Sequence, residues 1–170
     1  MELIIGRGEE GDRESLRLST RQGNHILNER RHERPPEALR AAVALHRQAH
    51  PDARLRSITA VYNCMGLVFA SRRTWIDTTC VAMILQQDGY RRVTELHALY
   101  PGDVVIYRFS SEVSHVAVVI PMEPEISTAS WKITVMSKWG ADGEYIHDME
   151  DVPPMLGKPL EFWTDRRQEP

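Results

Sequence analysis

Residues 101–109 read PGDVVIYRF, and here the chain changes from one kind of pattern to another. A Pro-Gly turn leads into β-branched and aromatic residues, which predicts a strand. Two similar runs follow, SHVAVVI at 114–120 and WKITVMS at 131–137, separated by the Pro- and Ser-containing stretch PMEPEISTAS at 121–130. GEYIHDM at 143–149 predicts a fourth strand and EFWTD at 161–165 a fifth.

Upstream the pattern is helical. PPEALRAAVALHRQAH at 35–50 has prolines in its first turn, then Leu39, Ala42, Val43 and His46 at helical spacing, and it stops before Pro51. A second helix is predicted over 63–73, with Leu67, Val68 and Ala70 on one side and Arg72 and Arg73 where a C-terminal turn favours cations. A third is predicted over 77–88, with Asp77 or Thr78 as cap and Gly89 as stop. Helices followed by an antiparallel sheet is an α+β order, unlike the alternation of a doubly wound fold. Residues 1–34 show no sustained period and predict an irregular N-terminal arm with one short strand at 2–5; residues 35–170 form a single domain.

Composition bounds the function. A chain of 170 residues, 42% hydrophobic and 26% charged, is enough for one sizeable core. The net charge of -3 argues against a general nucleic-acid binder. Residues 1–56 hold 11 Arg against 9 acidic residues and contain no Lys, which predicts a solvated Arg-rich helical face. No run of eighteen apolar residues and no secretory pattern is read, so the expectation is a cytoplasmic protein that does not enter membranes, with export by a dedicated machine that needs no cleaved signal as the alternative. Two cysteines without a CxxC pair are too few for a disulfide framework or an all-cysteine zinc site.

One of those cysteines opens a helix. In YNCMGL at 62–67, Cys64 occupies the predicted first turn, where partial positive charge and unpaired N–H groups favour a thiolate and a developing oxyanion. A buried thiol is also an ordinary small hydrophobe. Gly66 allows a substrate or a neighbouring strand to come close. Among seven histidines, His115 is the best placed base: it enters SHVAVVI after a polar tip, and alternation puts it on one face with Ala117 and Val119. A histidine entering a strand is equally a satisfied core residue.

Taken together, YNCMGLVFASRRTWI, PGDVVIYRF and SHVAVVI resemble, in order and spacing, the NlpC-type family of papain-like cysteine peptidases, over roughly residues 58–150. The resemblance implies helices packed on a short antiparallel sheet, with the cysteine helix facing the histidine strand. It implies Cys64 as nucleophile, His115 as general base, and a peptide or amide substrate without a cofactor. Cell-wall peptides are the family's usual substrate; an intracellular peptide, a protein tail or a small amide stays open. The family has Asp before its nucleophile and Ser after it, where this chain has Asn63 and Met65.

The family's third catalytic position lies on the next strand. Alternation of Ile133, Val135 and Ser137 brings Ser137 there, although serine cannot stabilise an imidazolium as a carboxylate does. His147, followed by Asp148, is the rival. Three more residues are candidates for substrate contact. Lys138 is expected to point outward or toward a substrate carboxylate, Trp139 to wall a cleft or fill the core, and Tyr62 to aim its hydroxyl at the site or pack as a strand-end aromatic.

His46 and His50 have the i, i+4 spacing of zinc peptidases, but Arg47 stands where the glutamate base belongs and no third ligand is evident, so no metal site is assigned. Cys80 in TTCVAMIL reads as core packing. Two alternatives to an amide hydrolase remain: a thiol acyltransferase using the same thioester, and a catalytically silent member of the fold that binds a partner.

Overall fold

The computed structural model describes residues 14–121 and 132–167. The strand expected at 2–5 and nearly all of the 121–130 stretch lie outside them. The chain forms an α+β fold in which a few short helices flank a large antiparallel sheet.

Helix α1 spans Pro36–Ala49, with proline in its first turn, Glu37 near its N-terminus and His46 and Arg47 in its last turn, the charge order that the helix dipole favours. Helix α2 covers only Cys64–Phe69. It stops short of the predicted 63–73 because Ser71 and Arg72 take left-handed backbone angles, φ +50° and +66°, and the Arg72 N–H turns back to the Gly66 carbonyl at 2.9 Å. Helix α3, Val81–Gln87, follows a 3-10 turn at Thr78–Cys80 whose cap is the Asp77 carboxylate.

The strands are β1 (Asn28–Glu29), β2 (Arg54–Ile58), β3 (Trp75–Ile76), β4 (Arg91–Val93), β5 (Val104–Phe109), β6 (Glu112–Val119), β7 (Thr134–Trp139), β8 (Gly143–Asp148) and β9 (Lys158–Thr164). β1 pairs with β3 in a two-stranded ribbon, and the other seven form one sheet in the order β2-β8-β7-β6-β5-β9-β4. Seven strands make this a large sheet, where a short one was expected. The difference comes from β2 and β4, Arg-containing edge strands of low apolar content that continue the sheet at each end.

The sheet divides the core in two. On one side, α2 and α3 pack Cys64, Met65, Val81 and Ile84 against Val104, Ile106 and Val116. On the other, Val105, Tyr107, Ala117, Val119 and Val135 pack with Met149 and Val152. α1 meets this second side through His46 and His50, whose rings lie edge-on to Trp139 at 5.1 and 4.9 Å. Alternation along each strand assigns every residue to one side.

Residues 14–34 contain only the short strand β1 and isolated bridges, and they are docked on the rest of the fold. Ile26 is buried in the same cluster as Cys64, the Thr20 hydroxyl and the Asn24 amide both donate to Gln87 Oε1, at 2.6 and 2.8 Å, and the Glu33 carboxylate accepts from the Thr59 hydroxyl and the Ala60 N–H.

Candidate functional site

Cys64 is the first residue of α2, and the geometry before and after it is specified by the sequence. Asn63 caps the helix: its Oδ1 accepts the Gly66 N–H at 2.9 Å and the Ile76 N–H at 3.1 Å, while its amide donates to the Ile76 carbonyl at 2.8 Å. One side chain thus ties the helix start to β3. Gly66 is required by the same closeness, since a Cβ there would lie 1.7 Å from the Thr74 carbonyl oxygen. The backbone that approaches Gly66 is the bend at Thr74, just ahead of β3.

The sulfur itself is buried and touches Met65 Sδ at 3.1 Å. Burial pushes its thiol up to about 11, against the lowering effect of the Val116, Met65 and Cys64 N–H groups and of the Lys138 charge. The depressed thiol expected from the helix start is not found: desolvation outweighs a six-residue helix terminus. The Val116 N–H is free for this contact because β6 pairs with β7 only from Ala117 to Val119. Cys64 sits where those strands part.

Lys138 and Tyr62 share the Cys64 side of the sheet. Lys138 is fully buried, contrary to the expected outward direction; its ammonium donates to the Gly140 carbonyl at 3.1 Å and lies 5.5 Å from the centre of the Tyr62 ring. Burial pushes it down to about 8. The Tyr62 hydroxyl donates to Glu144 Oε2 at 2.7 Å instead of pointing at the sulfur.

His115 lies on the opposite side. It pairs across β5 with Tyr107, its ring 5.1 Å from the Tyr107 ring, and Tyr107 donates its hydroxyl to the Met149 carbonyl in the second core cluster. The neighbouring Val116 is the residue that packs with Cys64. The cysteine helix therefore faces the histidine strand, yet the imidazole is turned away from the sulfur. His115 is fully buried, neither ring nitrogen has a hydrogen-bond partner among the described residues, and burial, with a smaller effect of His147, holds it down at about 3. It is a neutral imidazole.

Ser137 bonds His147 instead of His115, at 2.8 Å. The tautomer follows from the partners. His147 Nδ1 lies 2.7 Å from the Asp148 carbonyl oxygen, which only accepts, so Nδ1 carries the proton and Nε2 accepts from the Ser137 hydroxyl. Trp139 Nε1–H donates to Ser137 Oγ at 3.1 Å. Trp139 is buried, stacked on Tyr145 at 4.1 Å, and fills the core as its second reading anticipated. Burial, ahead of every other influence, holds His147 below its usual range.

Sequence reasoning missed the ionic anchor beside α2. Glu144 is buried next to Lys138 on β8, and Arg72 donates to both its oxygens, at 2.8 and 3.0 Å. Burial works to raise this carboxyl, but the bonds from Arg72 and Tyr62 hold it below the usual range. The signal was faint: a lone Glu in GEYIHDM reads as the polar face of a strand. His46 and His50 turn to separate carboxylates, Asp142 at 3.2 Å and Asp151 at 2.6 Å.

Comparison of the chain with protein-family models, with curated proteins and with solved structures finds no match. Among the described residues no helix is long and apolar enough to cross a membrane.

Proposed function

We propose that the chain is a cysteine hydrolase that cleaves an amide bond through an acyl-thioester on Cys64. The observation that carries this reading is the setting of the sulfur: Cys64 is the first residue of α2, behind the Asn63 cap and on the side of the sheet that also buries Lys138, and the Val116, Met65 and Cys64 N–H groups favour its charged form. Those N–H groups are the donors that a thiolate and then a tetrahedral oxyanion require.

In the described state the thiol keeps its proton and is covered, which makes this a resting arrangement. His115 is the proposed base. It follows a bulge: Tyr107 pairs with His115 while Arg108 pairs with Val113, leaving Ser114 extra, and a bulge is where a strand re-aims a side chain. A fully buried imidazole whose two nitrogens have no partner among the described residues lowers stability, and such groups recur where chemistry needs them. The productive state on this reading turns His115 toward the rift between β6 and β7, beside Val116. There it takes the sulfur's proton and returns it to the leaving amine. The NlpC-type resemblance supports the same pair and suggests short peptides, cell-wall peptides among them, as substrates.

The second reading is a silent binding module, favoured by one observation: the thiol and the imidazole face opposite sides of the sheet. Turnover of a panel of peptide amides by the wild type, Cys64→Ala and His115→Ala separates the two. Loss in both variants supports the hydrolase, and no turnover by any of the three supports the module.

A further inference from the structure

Edge strand β4 and the chain leaving β9 enclose a cleft of about 360 Å³ lined by Arg91, Arg92, Arg166 and Arg167, with Glu95 the one carboxylate among its described lining residues. Asp165, between two of these arginines in sequence, does not line it, and the lining shares no residue with the cluster around Cys64. Arginine on an edge strand has an ordinary use, since its charge keeps the open edge from pairing with another chain. That use needs only a charge pointing outward, whereas here the side chains are braced. Arg166 Nε and Nη2 donate to the two oxygens of the buried Asp103 carboxylate, at 3.1 and 2.7 Å, and Nη2 also donates to the Ala98 carbonyl at 3.0 Å. Its guanidinium lies 5.2 Å from the centre of the Tyr100 ring. Thr164, which pairs with Arg91 across β4 and β9, accepts the Arg166 Nε–H at 3.0 Å, and Arg91 Nη2 donates to the Arg166 carbonyl. Arg91 and Arg166 are therefore held at one corner of the cleft. Arg92 pairs with Glu161 at 2.6 Å and lies 5.2 Å from the centre of the Trp163 ring.

We propose that this cleft is a binding site for a small ligand carrying a phosphoryl group, gripped by the guanidinium forks of Arg91 and Arg167. Asp103 and Glu161 neutralise Arg166 and Arg92, but among the described residues no carboxylate pairs with Arg91 or Arg167. Two positive charges thus face a single glutamate. Arg91 spends only Nη2 on the protein among the described residues, which leaves Nε and Nη1 for a ligand. A planar fork presents paired N–H donors at the spacing of phosphoryl oxygens, and an always-charged guanidinium holds them without losing its proton. The bounded volume and the chain's net charge of -3 favour a small ligand over a nucleic-acid backbone, which needs an extended basic surface. The site stands independently of the hydrolase reading.

The test titrates the full chain with inorganic pyrophosphate at constant ionic strength and follows the arginine Nε–H resonances by NMR. Saturable shifts at Arg91 and Arg167, with a dissociation constant of ~1 mM or tighter, are expected. Arg91→Gln and Arg167→Gln should each weaken binding about tenfold, the loss of one charge-assisted contact. Arg91→Lys should recover only part of that loss, because an ammonium is a point charge without the fork. Arg40→Gln, which removes an exposed arginine of α1, should bind as the wild type does. Succinate, which offers carboxylates in place of phosphoryl oxygens, should bind more weakly. The proposal is overturned by a titration that does not saturate, by shifts at Arg40 as large as those in the cleft, or by succinate binding as tightly as pyrophosphate. Unchanged binding in folded Arg91→Gln and Arg167→Gln proteins overturns it as well.

Discussion

Ser137 Oγ and His147 Nε2 lie 2.8 Å apart at the centre of the sheet's second side, and the hydroxyl donates to the ring. The pair belongs to a chain running from the Trp139 N–H through Ser137 and His147 to the Asp148 carbonyl. Every member has a partner, so the network rigidifies β7 against β8.

Ser137→Ala should therefore act on stability first. It leaves Trp139 Nε1 and His147 Nε2 unpaired in a buried site, at a cost of about 1–3 kcal/mol. Chemical denaturation checks this. The pH profile of Cys64 alkylation should stay in place, since the pair faces away from the sulfur. His147→Ala should destabilise at least as much, because it removes a ring packed against Trp139 at 5.2 Å.

Acid should weaken the fold through His115. Its folded value of about 3 lies below its ordinary 6.5, so the unfolded chain binds the extra proton between those values. The stability of the neutral ring is fully present above 6.5 and is lost as pH falls toward 3. The slope reaches about 1.4 kcal/mol per pH unit for one proton. His147 adds to it with the same sign. Denaturant melts of wild type and His115→Phe between pH 4 and 7 should show a shallower slope in the variant, and equal slopes would count against a buried neutral His115.

Arg72→Ala should destabilise by about 1–3 kcal/mol, less than the ~3–5 kcal/mol of a fully buried pair because the guanidinium is 42% exposed. It strips the buried Glu144 of its cation. Glu144→Gln combined with Arg72→Ala should lose less than the two single losses added, since no charge is left unpaired. Thermal melts of the four proteins measure the difference.

How far the sequence was legible depended on whether a residue's role was local. Strands β5 to β8 showed in β-branched runs, and α1 in its prolines and its helical spacing. α2 was overextended because nothing in ASRR marks Ser71 and Arg72 as left-handed; the Arg72–Glu144 pair that accompanies this turn spans 72 positions. Strands β2 and β4 were invisible for a related reason: edge strands are half solvated, and RLRSI and RRV carry charge where periodicity needs apolar residues. For the site, the helix start near Cys64 was readable, whereas the capping role of Asn63 was not assigned. The side chosen by His115 and Ser137 was not, because alternation gives the faces of one strand without saying which face meets the helices.

The most direct test of the central claim is intact-protein and peptide mass spectrometry after incubation with an activated acyl-peptide ester at neutral pH, quenched in acid. An acyl-thioester confined to Cys64, removed by hydroxylamine and absent in Cys64→Ala, is the predicted result. Its decay to free enzyme should be slower in His115→Ala, which lacks the proposed base for the attacking water. No adduct on the wild type, or an adduct shared equally with Cys80, would contradict the account.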